Sequence, residues 1–299
     1  MAIDYHRLRS WSFFDQTSPY AATDNIRYAL SLGFGTDPMD EADLPFVFEE
    51  GLCVVPTFLA TVGAPGAWAS DPGTGIDWMQ ILHGEHRMRF FAMPAASGAV
   101  RSRTRVSRVV DKGAGKGALV VTERRIEDQA SGELLASVEH VSFCRADGGF
   151  ATAATPGDTP PEPLPAVPER APDMTMSMPT WPSAALLYRL NGDRNPIHAL
   201  PAAARQAGFG RPILHGLCTY GMACRALLKQ ACGGDPSRLA SLSVRFSSPF
   251  VPGETLRVEM WRGEGQVHFR ALADERNVVV LSHGVADLHP SSRSQDVRD

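Results

Sequence analysis

The sequence predicts an α+β protein built as two successive units, each a helix with an antiparallel sheet. Three observations carry this expectation. The stretch "TPGDTPPEPLPAVPERAPDMTMSMPTWP", Thr155 to Pro182, holds nine of the 23 prolines and no apolar periodicity, so it reads as a linker without regular backbone pairing. Strand-like runs separated by turn residues lie on both sides of it. Each side also has one segment of helical apolar spacing. The expected division is a first unit over 1–152, a linker over 153–181, a second unit over 182–290 and a polar tail over 291–299, each unit being long enough for its own core.

The first unit opens with "YAATDNIRYALSLGFG". Thr23 or Asp24 can cap a short helix, Ile26, Ala29 and Leu30 share a face, and Gly33 ends it. Further on, "GALVVTERRI" and "GELLASVEHVSFCR" flank "EDQASG", the pattern of a β-hairpin. In the second unit the spacing of Leu217, Tyr220, Gly221, Cys224, Leu227 and Leu228 predicts a helix over about 216–231, stopped by Gly233 or Gly234. Four strands follow, "LASLSVRFSSPF", "ETLRVEMW", "QVHFRALAD" and "NVVVLSHGVADL". A short echo joins the units: "MRFFAMPAASGAV" and "VRFSSPFVPGETL" both run from Arg-Phe through Pro to a Gly-led turn and a strand. It is open to two readings, duplication or chance similarity of apolar strings.

At 43 % hydrophobic and 21 % charged residues the 299-residue chain has an ordinary globular composition, and its formal charge of -4 argues against nucleic acid as the main partner. Five cysteines without a C-x-x-C pair suggest reduced thiols, not a disulfide framework or zinc knuckle. The N-terminal "MAIDYHRLRSWSFFDQ" has no signal-peptide block, and no apolar run reaches a membrane span, so the expectations are a cytoplasmic protein and no membrane partner.

The chemistry concentrates in "YRLNGDRNPIHALP". Asn195-Pro196 is a helix-start signature, and Pro201 forces a new start. A short bent turn of this kind brings Asp193 and His198 to one side, where a continuous helix would set them about 140° apart. Downstream, Gly216 opens a helix whose first turn has no capping side chain, leaving N–H groups for a developing negative oxygen. An acid, an imidazole and an oxyanion donor are the parts needed to move a proton beside a carbonyl. The residue types alone leave a second reading open, a capping Asp and a hydrogen-bonded turn histidine.

"LNGDRNPIHALPAAARQAGFGRPILHGLCTYGMA" resembles the signature of the type-2 enoyl-CoA hydratases, the (R)-specific MaoC-like enzymes, whose motif is Gly-Asp-x-Asn-Pro-aliphatic-His. "RYALSLG", "LPFVFEEGLCVVPTFLATVG", "ILHGEH", "VVDKGAGKGALV" and "VRFSSPFVPGETL" extend the resemblance in order over nearly the whole chain. It departs at His86, where relatives often carry Gln, and in the proline-rich linker.

The resemblance implies a double hot-dog fold, and reversible syn hydration of a trans-2-enoyl-CoA to the (3R)-hydroxyacyl-CoA. Thioester hydrolysis or non-catalytic acyl-CoA binding are the alternatives. It further implies Asp193 and His198 as the catalytic pair, Asn195 holding site and substrate in register, and the Gly216 N–H on the thioester oxygen. His83, Gly84, Lys112, Arg194 and Phe246 would border the acyl-CoA. No cofactor is expected, coenzyme A being part of the substrate, and a homodimer is expected.

Three other signals have plainer readings. Arg101, Arg103 and Arg105 recur at period two, which makes one strand face positive; a solvated outer face is the preferred reading. "GAGKGA" satisfies G-x-G-x-x-A, but a strand follows where that motif needs a helix, so it is a hairpin turn. "HGEH", His83 to His86, is not H-E-x-x-H and has no third ligand placed by the sequence, so no metal is expected there.

Overall fold

The computed structural model describes residues 3–290; the expected tail at 291–299 lies outside the described residues. Ten strands form one antiparallel sheet. In chain order they are β1 (Gln16–Tyr20), β2 (Ile81–Phe90), β3 (Gly98–Asp111), β4 (Ala118–Asp128), β5 (Leu134–Cys144), β6 (Met174–Pro179), β7 (Ser241–Phe246), β8 (Thr255–Arg262), β9 (Gln266–Ala273) and β10 (Val278–Asp287). Their spatial order is β1-β3-β4-β5-β2-β7-β10-β9-β8-β6. Read outward from the central β2–β7 pair, the two halves match strand for strand. The echo noted in the sequence falls on equivalent places, the passages from β2 to β3 and from β7 to β8.

The helices are α1 (Tyr5–Arg9), α2 (Ala22–Ser31), α3 (Leu44–Val47), α4 (Ala184–Tyr188), α5 (Pro201–Gln206) and α6 (Gly216–Gln230). The first half's helix, α2, starts two residues before Asp24, whose carboxylate accepts the Ala21 N–H at 2.8 Å from inside the first turn. It stops where Gly33 takes φ +87°. The second half's helix, α6, is buried continuously from Cys218 to Leu228, as expected of a helix running through a core. The two helices approach closely at Gly221. A Cβ there would lie 2.6 Å from Leu32 Cδ2 and 2.9 Å from the Tyr28 hydroxyl. One apolar core therefore spans both halves, with Leu59, Met88 and Ile126 on one side and Leu227, Leu242 and Phe269 on the other.

The expectation for the linker needs correction. Met174–Pro179 is an edge strand paired with β8, from Met174 opposite Met260 to Pro179 opposite Thr255. The prolines stop at Pro172 and resume only at Pro179, so six residues keep their N–H groups, and an edge position tolerates the terminal proline. Upstream, the linker is strapped to the first half. Asp158 accepts from the Val109 N–H at 2.8 Å and pairs with Arg9, and the Glu162 carbonyl accepts from Arg87 at 2.7 Å.

The arginine face of β3 is neutralised across the sheet by Glu127, 2.9 Å from Arg101 and 3.3 Å from Arg103, and by Glu123, which pairs with Arg105. It is a solvated, charge-balanced face.

Candidate active site

The loop after α4 is built by turn chemistry written into the sequence. Gly192 takes φ +115°, then the Asp193 carboxylate accepts the Asn195 N–H at 3.0 Å. Asn195 caps a single 3₁₀ turn, Pro196–His198, its side-chain oxygen accepting the Ile197 N–H at 3.2 Å. The turn carries His198 inward to 7 % exposure while Asp193 stays exposed. A carboxylate oxygen of Asp193 nevertheless lies within 4.8 Å of a ring nitrogen of His198. One water molecule can hydrogen-bond to both at that separation.

The protonation state of His198 follows from its contacts. Its Nδ1 lies 2.8 Å from the Ile213 carbonyl, which can only accept, so Nδ1 carries the hydrogen and Nε2 the lone pair. Burial pushes its pKa below the ordinary histidine value, against the opposing pull of the Ile213 carbonyl and Asp193. At neutral pH the ring is an uncharged base.

Sequence reasoning missed His215. Its ring stacks on His198 with centroids 3.7 Å apart, and its Nε2 donates to the Asp193 main-chain carbonyl at 3.1 Å. It thus braces the ring and the loop of the proposed pair at once, and it occupies the N-cap of α6, immediately before Gly216. A clue was present: "LHGL" places an imidazole where a capping Ser, Thr or Asp is usual.

Burial first, then the charge of His198, lowers the His215 pKa from 6.5 to about 4. Between those values an unfolded chain takes up a proton that the folded chain refuses, so stability falls as pH drops from 6.5 towards 4. The loss from this one residue is on the order of 2–3 kcal/mol. Urea denaturation at pH 7.5 and 4.5 should show a smaller difference for His215→Asn than for the parent protein. Equal differences would remove the assignment.

Gly216 is the first residue of α6. The His215 carbonyl takes the N–H groups of Cys218 and Thr219, at 3.0 and 3.3 Å, and no backbone partner is found for the Gly216 N–H among the described residues. A Cβ on Gly216 would lie 3.0 Å from the Phe246 ring.

Phe246 in turn meets His83, ring centroids 4.2 Å apart. Gly84 follows His83 in the chain, and the Lys112 ammonium sits over the Phe143 ring, 4.7 Å from its centroid. The structure thereby brings Gly216, Phe246 and His83 into succession. Arg194 is exposed, and its carbonyl accepts from Arg189 at 3.2 Å. A cavity of about 190 Å³ opens beside His198, lined also by Leu186, Arg211, Pro212 and Val251. A larger polar one of about 390 Å³, over Arg105 and Arg108, contains none of the site residues expected from the sequence.

The paired sheets and their two helices form a double hot-dog, the fold of MaoC-like dehydratases. The MaoC-like domain family matches residues 164–283, and the MFE-2 hydratase 2 N-terminal domain family matches residues 18–146. The enoyl-CoA hydratase ChsH3 of Mycobacterium tuberculosis is 38 % identical over 269 residues, 88 % of this chain and 91 % of that protein. The peroxisomal enoyl-CoA hydratase 2 of Arabidopsis thaliana is 36 % identical over 287 residues, 92 % of each chain. A MaoC-like dehydratase from Phytophthora capsici superposes with a TM-score of 0.84 at 33 % identity, covering 97 % of this chain and 100 % of that one. The chain belongs to the MaoC-like hydratase 2 family.

Proposed function

We propose that the chain catalyses the reversible syn hydration of trans-2-enoyl-CoA thioesters to (3R)-3-hydroxyacyl-CoA. The observation that carries this reading is the convergence of the Asp193 carboxylate and the neutral His198 ring, within 4.8 Å of each other, on a loop braced from the start of α6. Water held by the pair loses a proton to it as its oxygen attacks the β-carbon. The π electrons shift towards the thioester oxygen, where the Gly216 N–H meets the developing charge. The pair then delivers a proton to the α-carbon on the same face, so the net change is addition of one water. Asp193 and His198 act as one coupled acid–base unit. Asn195 keeps the loop in register through its cap. As proposed, the reaction runs on the chain's own groups, with coenzyme A entering as part of the substrate.

The succession Gly216, Phe246, His83 supports contact with an acyl-CoA; Gly84 and Lys112 are proposed to border the same ligand, Lys112 being suited to a phosphate. Arg194, exposed beside Asp193, is proposed to meet the same ligand. The five cysteines are free thiols, which fits the cytoplasm as the proposed compartment. No helix among the described residues is long and apolar enough to cross a membrane. A homodimer is proposed, to be read by light scattering.

The test is turnover of trans-2-enoyl-CoA substrates of several chain lengths, with chiral analysis of the alcohol. The (3R) product is expected. Release of free coenzyme A thiol would indicate hydrolysis instead, and binding without turnover would leave a carrier role.

A further inference from the structure

A second group of imidazoles lies behind Phe246, where β2, β5 and the end of β7 meet. His86 and His140 stand opposite each other in the β2–β5 register. His83, three residues before His86, would point to the other face of a regular strand. The register shift between His83 and Glu85 turns it to the same side, so that its ring meets that of His86 at 5.2 Å and that of His140 at 3.9 Å. One ring nitrogen from each of the three lies within 4.8 Å of the others. The third ligand that the sequence did not place is His140, from the neighbouring strand.

Three of these ring nitrogens are buried without a hydrogen-bond partner among the described residues. His86 is 2 % exposed, and neither of its ring nitrogens has a hydrogen-bond partner among the described residues; Nε2 of His83 has none either. A buried polar atom left unpaired costs about 1–3 kcal/mol, so three in one place call for an occupant.

We propose that His83, His86 and His140 form a binding site for a divalent metal ion, with zinc as the ion whose coordination they suit. Three neutral imidazoles with a fourth position open is a common zinc ligand set, whereas magnesium and calcium require oxygen ligands that this cluster lacks. The His83 and His140 rings, now stacked, must turn apart to direct both lone pairs at one ion. Arg124 stands on adjacent β4, its guanidinium donating to the carbonyls of Leu59, Ala60 and Val62. Its charge opposes a cation, and with no carboxylate in the ligand set the site is expected to hold zinc with modest affinity. The ion would staple β2 to β5 beside the strand that carries Phe246. The proposal shares His83 with the acyl-CoA contacts, and its test reads metal binding, not turnover.

Chelator-stripped protein is titrated with zinc by calorimetry, and with cobalt(II) by visible absorption. One zinc per chain and the intense bands of a four-coordinate cobalt site are expected. His140→Phe should weaken zinc binding by about 100-fold or more, while His198→Ala leaves it unchanged. If circular dichroism shows His140→Phe unfolded, His86→Gln is read in its place, with the same expectation. Absence of zinc uptake by the parent protein would overturn the proposal. So would binding lost in His198→Ala and kept in His140→Phe, which would place the ion at Asp193, His198 and His215.

Discussion

Asp193→Asn and His198→Gln are each expected to lower turnover of a trans-2-enoyl-CoA by about 10³-fold or more, with melting temperatures near that of the parent protein. The size follows from what each change removes. Asparagine keeps the volume of Asp193 and can still accept the Asn195 N–H that shapes the loop, but it cannot take a proton from water. Glutamine at 198 can still donate to the Ile213 carbonyl, yet it offers no basic lone pair in place of Nε2. Each variant therefore keeps the scaffold and loses half of a coupled unit, so the double variant should be little worse than either single one. Turnover within tenfold of the parent in either variant would dismiss the assignment. Gly216→Ala is a less discriminating probe, because its methyl group presses on the Phe246 ring as well as perturbing the backbone.

The largest expected effect on stability is that of Asp43→Ala, a loss of about 3–5 kcal/mol, read as a fall in melting temperature of about 10 °C. Asp43 is fully buried in the segment between α2 and α3. Its Oδ2 accepts from Arg225 of α6 at 2.9 Å and from the Gly35 N–H at 3.0 Å, and its Oδ1 pairs with Lys229 at 2.9 Å. The Arg225 side chain is only 8 % exposed and also lies over the Phe34 ring. Truncating the carboxylate leaves that guanidinium buried without its counter-charge, the costly way to break such a pair. Lys229 keeps Asp40 as a partner. Asp43→Asn preserves the shape and the Gly35 contact and should fall between parent and alanine variant. A melting temperature unchanged in Asp43→Ala would show that solvent reaches Arg225 and that the link holds nothing.

The loop carrying Asp193 and His198 was legible because its geometry is local. The Asn195 cap and Pro196 each act within a few residues, and both do in space what their types predict. The same holds for the start of α6 at Gly216 and for the hairpin at "GAGKGA". The edge strand β6 was missed because composition over a long window hid a short proline-free stretch. What marks Met174–Pro179 as a strand is the partner it finds in β8, some 80 residues on. Asp43 gave no signal, since one acid in "DEADLPF" looks like any solvated turn residue until α6 is laid against it.

By itself, then, the sequence determined the α+β class, the existence of two helix-and-sheet units, and the acid, amide, imidazole and glycine that the proposed chemistry uses. Turn and cap preferences are energies between near neighbours in the chain, and so they can be read in order. Only the tertiary structure decided that His215 stacks on His198, that Phe246 joins Gly216 to His83, and that His140 completes a trio with His83 and His86. The trio depends on strand register and on the bulge at Gly84, and the other contacts on how the loop, α6 and the sheet pack. Register is set by which faces the whole core can bury, a sum over distant residues that no short stretch contains.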